Sequence, residues 1–320
     1  MKVLITGASG FVGTALVDEL LARGHHEVVG SVRNALKAKP CELVETGDLS
    51  DSTDWSKALA GVDTVVHLAG RAHVLGDTSA NRLNEFRRVN VDATVNLAKT
   101  AARMGVRRFV FVSSIGVNGG KTDANPFTEA NKPNPTADYA VSKREAEQKL
   151  QALLSGTELE LVIVRPPLVY AGHAPGNFRR LLAVIAAGLP LPFGRVRNLR
   201  TMIALENLVD LLIRCIDHPR AANEVFLCAD DESLSLPEIV RLIASGIGRR
   251  VWLVPVPVFL LVLASSLFKR RSVIDQLCGS LVVDNQKVKH SLNWKPVVDA
   301  RSALIAAGRN YLARNKEGSQ

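Results

Sequence analysis

Lys2-Val3-Leu4-Ile5-Thr6-Gly7-Ala8-Ser9-Gly10-Phe11-Val12-Gly13 decides how the rest of the chain is read. Lys2 to Ile5 is an apolar run of strand length, and it breaks at once into glycines spaced Gly-x-x-Gly-x-x-Gly. Beyond Gly13, the residues Leu16, Val17, Leu20 and Leu21 recur at helical spacing, so the segment reads as strand, glycine turn and helix. Gly7 suits the tight turn, Gly10 lets the backbone approach a pyrophosphate, and Gly13 lets the helix pack closely on the strand. Phosphates would then meet the unpaired N–H groups of Phe11, Val12 and Gly13 at the positive end of the helix. The spacing departs from Gly-x-Gly-x-x-Gly. The strand before it and the amphipathic helix after it favour a dinucleotide site over an ordinary turn.

The chain has 320 residues, enough for an α/β unit with a smaller lobe. A hydrophobic content of 47% and a mean hydropathy of +0.11 call for a large core and exclude extensive disorder. The opening Met-Lys-Val-Leu-Ile is too short an apolar run for a signal peptide, so a cytoplasmic location is expected. Cys41, Cys215, Cys228 and Cys278 lie far apart without a Cys-x-x-Cys pair. They read as reduced, mostly buried thiols, with neither a metal site nor a disulfide framework. The net charge of +9 suits anionic partners. Nucleic acid ranks last among them, because aromatic residues make up only 5% of the chain and no nucleic-acid motif is present.

Glu27 to Val32 reads as the second strand, and Leu43 to Leu49 as the third, ending in Asp48-Leu49, a clamp for the adenine edge. A site preferring NAD would place an acid near the end of the second strand to hold the ribose 2′-hydroxyl. Ser31 stands there instead and Arg33 follows, which favours NADP(H), with NAD(H) the alternative. The plainer reading of Arg33 is an exposed loop arginine. Val62 to Gly70 reads as the fourth strand, whose small end Leu68-Ala69-Gly70 permits close approach to a coenzyme, with His67 as a packed core histidine. Asn90 falls in a helical stretch from Phe86 to Met104. Strands and helices alternating at this pace specify an α/β fold with a doubly wound parallel (Rossmann) sheet.

Arg108 to Ser114 is a fifth strand ending in Ser113-Ser114, on the side where ligands bind in such sheets. Further on, Tyr139-Ala140-Val141-Ser142-Lys143 opens a helix that also carries Glu145, Glu147 and Lys149, and Tyr139 and Lys143 share one helical face. A neighbouring ammonium is expected to lower the phenol pKa, so that Tyr139 exchanges a proton while Ser114 donates a hydrogen bond to the same substrate oxygen.

Gly7-x-x-Gly10-x-x-Gly13, Asp48-Leu49, Leu68-Ala69-Gly70, Asn90, Ser113-Ser114 and Tyr139-x-x-x-Lys143 together resemble the extended short-chain dehydrogenase/reductase superfamily. Within it the chain is similar to the nucleotide-sugar epimerase, dehydratase and 4-reductase branch, over nearly its full length. The resemblance implies a homodimeric enzyme with Ser114, Tyr139 and Lys143 catalytic and a UDP-sugar substrate. It also implies that the coenzyme meets Val112, Pro166 and Val169 besides the residues above. The implied division is a dinucleotide-binding domain over residues 1–168, rejoined by 203–229, and a smaller C-terminal α/β substrate-binding domain over 169–202 and 230–320.

Leu159 to Arg165 reads as a sixth strand, and Val225 to Cys228 as a late strand returning to the sheet. By resemblance Asn177 and Phe178 line the sugar or diphosphate pocket and Arg200 contacts the diphosphate. The plain alternative is a loop with Phe178 in a local core. Val251 to Phe268 is nearly all apolar between Arg249-Arg250 and Lys269-Arg270-Arg271, but Pro255 and Pro257 leave about ten helical residues, too few to span a bilayer. It reads as a helix of the substrate lobe, with peripheral contact on anionic lipid as the alternative. The tail after Arg314 is expected to fray.

Dehydratases of the branch place an acidic pair just after the catalytic hydroxyl, where Ile115 and Gly116 stand here, so dehydration is rejected. Arg33 tips the balance between the remaining two toward reduction of a UDP-4-keto-sugar, of the 2-acetamido-2,6-dideoxy-hexulose type used in surface polysaccharides. A UDP-glucose or UDP-GlcNAc 4-epimerase is the alternative, weakened by Asn118 where epimerases usually carry tyrosine. A third reading, a non-catalytic dinucleotide-binding regulator, conflicts with the presence of both Tyr139 and Lys143.

Overall fold

The computed structural model describes residues 1–34, 41–72, 81–267 and 277–317. Strands β1 (Lys2–Thr6), β2 (Glu27–Val32), β3 (Glu42–Glu45), β4 (Thr64–His67), β5 (Arg108–Val112) and β6 (Glu160–Arg165) belong to one sheet. After the short pair β7 (Val169–Tyr170) and β8 (Ile203–Ala204), β9 (Val225–Leu227) completes that sheet. Its order is β3-β2-β1-β4-β5-β6-β9, seven strands with every pairing parallel. The chain moves outward from β1 in one direction and from β4 in the other. The crevice beyond the carboxyl ends of these two strands is therefore the switch point at which such sheets bind ligands.

Strand alternation builds a core on each face, because successive side chains point to opposite sides. Val3, Ile5, Val66, Val110, Val162 and Val164 pack against α1 (Phe11–Arg23) and α6 (Leu205–Asp217). Leu4, Val65, Phe109, Phe111, Leu161 and Ile163 form the other core, with Leu97 and Ala98 of α3 (Ala93–Arg103) and Ala146 and Leu150 of α4 (Asp138–Leu154). A parallel sheet covered on both sides explains why these strands read as continuous apolar runs.

A third core joins α5 (Gly176–Ala186), α7 (Leu236–Ile247) and the C-terminal helix Ala300–Glu317 around Tyr170, Phe178, Leu182, Ile243 and Leu304. Gly246 and Gly308 allow the last two helices their contact: a Cβ on Gly246 would lie 1.9 Å from the Ile305 carbonyl oxygen.

Several boundaries differ from expectation. β3 and β4 are short, so Asp48-Leu49 and Leu68-Ala69-Gly70 lie in the loops after them, where they face the crevice. The expected helix from Phe86 to Met104 is α2 (Arg82–Arg87), a π-helical turn at Arg88–Asp92, and α3. Among the described residues, the apolar stretch after Arg250 contains a single helix, α8 (Val258–Leu267), behind Pro255 and Pro257. The flank Lys269-Arg270-Arg271 with Phe268, and the final three residues of the tail, lie outside the described residues. The C-terminal helix itself runs past Arg314 to Glu317. Cys215 and Cys228 are buried, whereas Cys41 and Cys278 are half-buried. Among the described residues no helix is long and apolar enough to cross a membrane.

Candidate active site

Gly7 adopts φ +69°, a left-handed conformation that side chains resist, and a Cβ there would lie 3.0 Å from the Ala69 backbone. A Cβ on Gly13 would come 2.1 Å from the Gly7 carbonyl oxygen, so α1 reaches the turn only because that position is glycine. Gly10 caps the helix without a side-chain partner and donates its own N–H to Gly7 O at 2.8 Å. The N–H groups of Phe11, Val12 and Gly13 fall in the first turn and lack intrahelical acceptors by position.

Beside Gly7 and Gly10 lies a cleft of about 670 Å³. It brings together Gly7, Gly10, Arg33, Asp48, Leu49, Leu68, Ala69 and Gly70 of the expected residues. Arg71 and Arg88 also line it and had not been singled out; Arg71 directly follows the Leu68-Ala69-Gly70 loop, which was the available signal. The size of the cleft, the close glycine turn and the first-turn N–H groups fit a dinucleotide. Another cavity, about 610 Å³ and lined by Arg23, His26, Asp210 and Trp294 among others, sits at the amino ends of β1 and β2, away from this constellation.

Ser31 also lines the cleft, but it is buried and its hydroxyl bonds to Thr46 Oγ1 at 2.9 Å. Arg33 and Asp48 are both exposed and pair with each other, Nε to Oδ1 at 3.0 Å. The guanidinium meant for a 2′-phosphate and the carboxylate meant for adenine thus partly neutralise one another.

A relay of buried hydroxyls holds the Leu68-Ala69-Gly70 loop. The Thr6 hydroxyl oxygen accepts from Leu68 N and Ala69 N at 3.2 and 3.1 Å, which commits its proton to His67 Nδ1, 2.7 Å away. His67 then carries its proton on Nε2 and donates to Thr94 Oγ1 at 2.9 Å, and Thr94 donates to Asn90 O at 2.9 Å. Burial, assisted by the Lys143 charge, pushes the imidazole down to about 3, so His67 is a neutral core histidine. Asn90, in the π-turn, accepts from Arg71 N at 2.8 Å and donates to Ser142 Oγ at 3.0 Å, tying the cleft wall to α4. π-Turns inside helices often mark functional sites.

Lys143 stands where these parts meet. It is buried, its Nζ donates to Val112 O at 2.9 Å, and a Cβ on Gly70 would lie 3.6 Å from it. The same Nζ is 4.6 Å from the Phe111 ring centre and 6.0 Å from that of Tyr139. Burial lowers its pKa to about 8, against a raising influence from Glu147. Tyr139 is half-buried at the start of α4, edge-on to Phe86 at 6.1 Å. The expected lowering of its pKa does not hold in this structure: burial pushes the phenol up to about 12. The ammonium is directed at the Val112 carbonyl, and at 6.0 Å from the ring centre it does not offset the loss of solvent.

Ser114 caps a short 3₁₀ turn, Ile115–Val117, and its Oγ accepts from Gly116 N at 3.1 Å, which leaves its proton available for a substrate oxygen. A Cβ on Gly116 would touch both Ala140 Cβ at 3.1 Å and Ser114 Oγ at 3.3 Å, so the serine turn lies directly against the first turn of α4.

Beneath the three lies an ion pair that spacing did not reveal. Glu147, fully buried, receives Ser113 Oγ at 2.6 Å and both Nε and Nη2 of Arg165, at 2.8 and 2.6 Å. Arg165 also donates to Asn118 Oδ1 at 2.9 Å. The ends of β5 and β6, the serine turn and α4 are thereby fastened at one point. The Glu147 position one helical turn beyond Lys143 was the signal in the sequence.

On the substrate side the expectations divide. Pro166 accepts from Ile115 N at 3.0 Å and so sits at the end of β6 beside the serine turn, whereas Val169 pairs with Ile203 in the short β7–β8 sheet. Asn177 is exposed at the start of α5. Phe178 does not line a pocket: it is 1% exposed and packs on Tyr170 at 5.7 Å in the third core, as the local-core alternative had it. Arg200 is half-buried and donates to Gly279 O at 3.1 Å, with burial lowering its pKa.

The NAD dependent epimerase/dehydratase family matches residues 3–229. The chain is 41% identical to a "UDP-glucose 4-epimerase" of Vibrio cholerae over 98% of its own length and 96% of the relative's. It is 30% identical to the "N-acetyl-alpha-D-glucosaminyl-diphospho-ditrans,octacis-undecaprenol 4-epimerase" of Escherichia coli O157:H7, over 78% of this chain and 73% of that one. Among solved structures, MoeE5 in complex with UDP-glucose and NAD superposes with a TM-score of 0.79 at 26% identity, covering 99% of this chain and all of that one. A short-chain dehydrogenase/reductase superfamily protein from Agrobacterium tumefaciens with bound NAD gives 0.78 at 22% identity over the full length of both, a likeness of fold. The family match over residues 3–229 and the Vibrio cholerae relative over nearly the whole of both chains show that the chain belongs to the NAD dependent epimerase/dehydratase family, as an enzyme whose fold is that of a short-chain dehydrogenase/reductase superfamily protein.

Proposed function

We propose that the chain is a UDP-sugar 4-epimerase that works with a nicotinamide dinucleotide held in the cleft beside the glycine turn. The observation that carries this reading is the placement of Lys143, whose buried ammonium is 3.6 Å from where a Cβ on Gly70 at the cleft wall would stand and 6.0 Å from the ring centre of Tyr139. The Vibrio cholerae relative, aligned over nearly the whole of both chains, supports the epimerase over the reductase that Arg33 had suggested.

In this reading Tyr139 exchanges a proton with the hydroxyl at sugar C4, and Ser114, whose own proton is uncommitted, donates to the same oxygen. A coenzyme bound in its oxidised form supplies the hydride acceptor and a positive charge. The Lys143 ammonium favours the phenolate and, with such a charge beside it, would oppose the burial that raises the phenol pKa to about 12. Asn177 and Arg200 are assigned to the nucleotide-sugar side, and a cytoplasmic homodimer completes the proposal, with sedimentation as the check on its mass.

The test is incubation of the purified chain and NAD with UDP-glucose or UDP-GlcNAc. Conversion to the galacto form without net coenzyme consumption is expected. NADPH oxidation that requires a 4-keto-sugar, with no gluco–galacto interconversion, would replace the epimerase by the 4-keto reductase.

That second reading is kept because Arg33 stands at the cleft with no acid at Ser31. Arg33→Ala separates the two. If the arginine grips a 2′-phosphate, NADPH affinity falls roughly ten- to a hundredfold, the range for losing charge-assisted hydrogen bonds. If its partner is only Asp48, titration calorimetry should show NADPH and NADH affinities changing equally little.

A further inference from the structure

The C-terminal lobe carries an apolar face that nothing in the described chain covers. On α8, Leu261 is 8% exposed and faces the third core, while Phe259, Leu260 and Leu263 point outward at 69, 42 and 60% exposure. The segment leading into the helix adds Trp252 at 72% and Val254 at 42%. It is fastened in place: Leu191 N donates to Trp252 O, Val254 N to Leu191 O and Gly194 N to Val254 O, at 2.8, 2.8 and 3.0 Å. These five are nearly half of the eleven exposed large apolar side chains among the described residues, gathered within twelve positions. Solvated monomeric surfaces scatter such residues singly, and a gathered patch marks an interaction site.

The charge beside the patch selects the partner. Residues 161–205 and 239–267 contain no Asp or Glu, and seven of their nine arginines are exposed, Arg165 being buried against Glu147 and Arg200 half-buried. Arg249 and Arg250 directly precede the patch in sequence, Arg195 follows Gly194, whose N–H bonds to Val254 O, and all three are exposed. Aromatic and aliphatic side chains outward, arginines at the margin and no acid is the composition of a surface that seats on anionic lipid. With ten residues α8 is about 15 Å long. It can lie in the plane of the interface and cannot cross it.

We propose that this face docks the protein on an anionic membrane surface, with Trp252, Phe259 and Leu263 entering the headgroup layer and the arginines holding the phosphates. The docking is independent of which sugar reaction the chain performs. Its test reads binding, whereas the test of the reaction reads product, so either can fail alone.

The experiment is flotation of the full chain with vesicles of phosphatidylglycerol and phosphatidylethanolamine, and with vesicles of phosphatidylcholine alone. The protein should float with the anionic vesicles, remain largely behind with the neutral ones, and be released as salt shortens the Debye length. Phe259→Ser with Leu263→Ser should reduce flotation roughly tenfold or more, with circular dichroism, thermal midpoint and turnover of a soluble UDP-sugar unchanged. Arg249→Gln with Arg250→Gln, which leaves the apolar face intact, should remove the preference for anionic vesicles. No flotation with anionic vesicles overturns the proposal, as does equal flotation of the wild type and the serine variant. A serine variant that floats normally but sediments as a smaller species also overturns it and makes the face a contact between two copies of this chain.

Discussion

Tyr139→Phe is expected to cost about 10²- to 10⁴-fold in kcat, the usual contribution of a positioned acid or base, while leaving nucleotide-sugar binding nearly intact. The ring stays, so its edge contact with Phe86 and its place on the face of α4 survive, and only the oxygen that exchanges a proton is lost. The pH dependence carries a second expectation. Lys143, lowered by burial to about 8, is charged below that value and neutral above it. Where its charge is needed to favour the phenolate of Tyr139, kcat/KM of the wild type should fall as pH rises through about 8. A Tyr139→Phe variant that keeps more than about a tenth of wild-type turnover removes the phenol from the mechanism. A wild-type profile flat to well above pH 8 would instead show that the lysine acts by position alone.

What the sequence showed and what it hid follow from the kind of force involved. Strand, glycine turn and helix at residues 2–23 were legible because one steric constraint, the approach of Gly13 to the Gly7 carbonyl, fixes the residue type at that point. The fold class was equally legible, since a sheet buried on both faces writes itself as apolar runs such as Val65-Val66 and Phe109-Val110-Phe111. His67 could be placed in the core from its neighbours, although the two threonines that fix its tautomer could not. The phenol of Tyr139 went the other way. Spacing on a helix gives the distance to an ammonium but not the depth of burial, and here burial sets the direction of the shift. Arg33 and Asp48 were read as two separate contacts because sequence does not show that the loops after β2 and β3 bring them together. Phe178 was assigned by likeness to a pocket, yet an aromatic residue on the apolar face of α5 has a stronger claim on the core.

Glu147→Ala should destabilise the protein by about 3–5 kcal/mol, because it strands a buried guanidinium rather than removing a favourable contact alone. Arg165 is 5% exposed and directs its Nε and Nη2 at Glu147, and Ser113 gives its proton to the same carboxylate. Without the carboxylate, the Ser113 hydroxyl and two N–H groups of Arg165 lose their acceptor where they are buried, and Arg144 Nη1, a quarter exposed, loses a longer contact of 3.5 Å. The effect should extend to the chemistry, since Glu147 is the influence that raises the Lys143 pKa against burial. Its removal therefore favours the neutral amine, and the alkaline limb of the rate profile should move below its wild-type position near 8. Glu147→Gln divides the two roles: it keeps an acceptor for Ser113 and part of the geometry but lacks the charge, so its stability should lie between the others while its pH limb shifts like that of the alanine variant. Replacing the pair together, Glu147→Met with Arg165→Met, should recover much of the stability, as buried ion pairs often tolerate apolar substitution of similar volume, but not the position of the limb. Urea denaturation and kcat/KM against pH measure both. An alanine variant within about 1 kcal/mol of wild type, a loss typical of an ordinary hydrogen bond, would mean that Arg165 finds solvent or another acceptor. The pair would then not be what holds the serine turn and α4 in register.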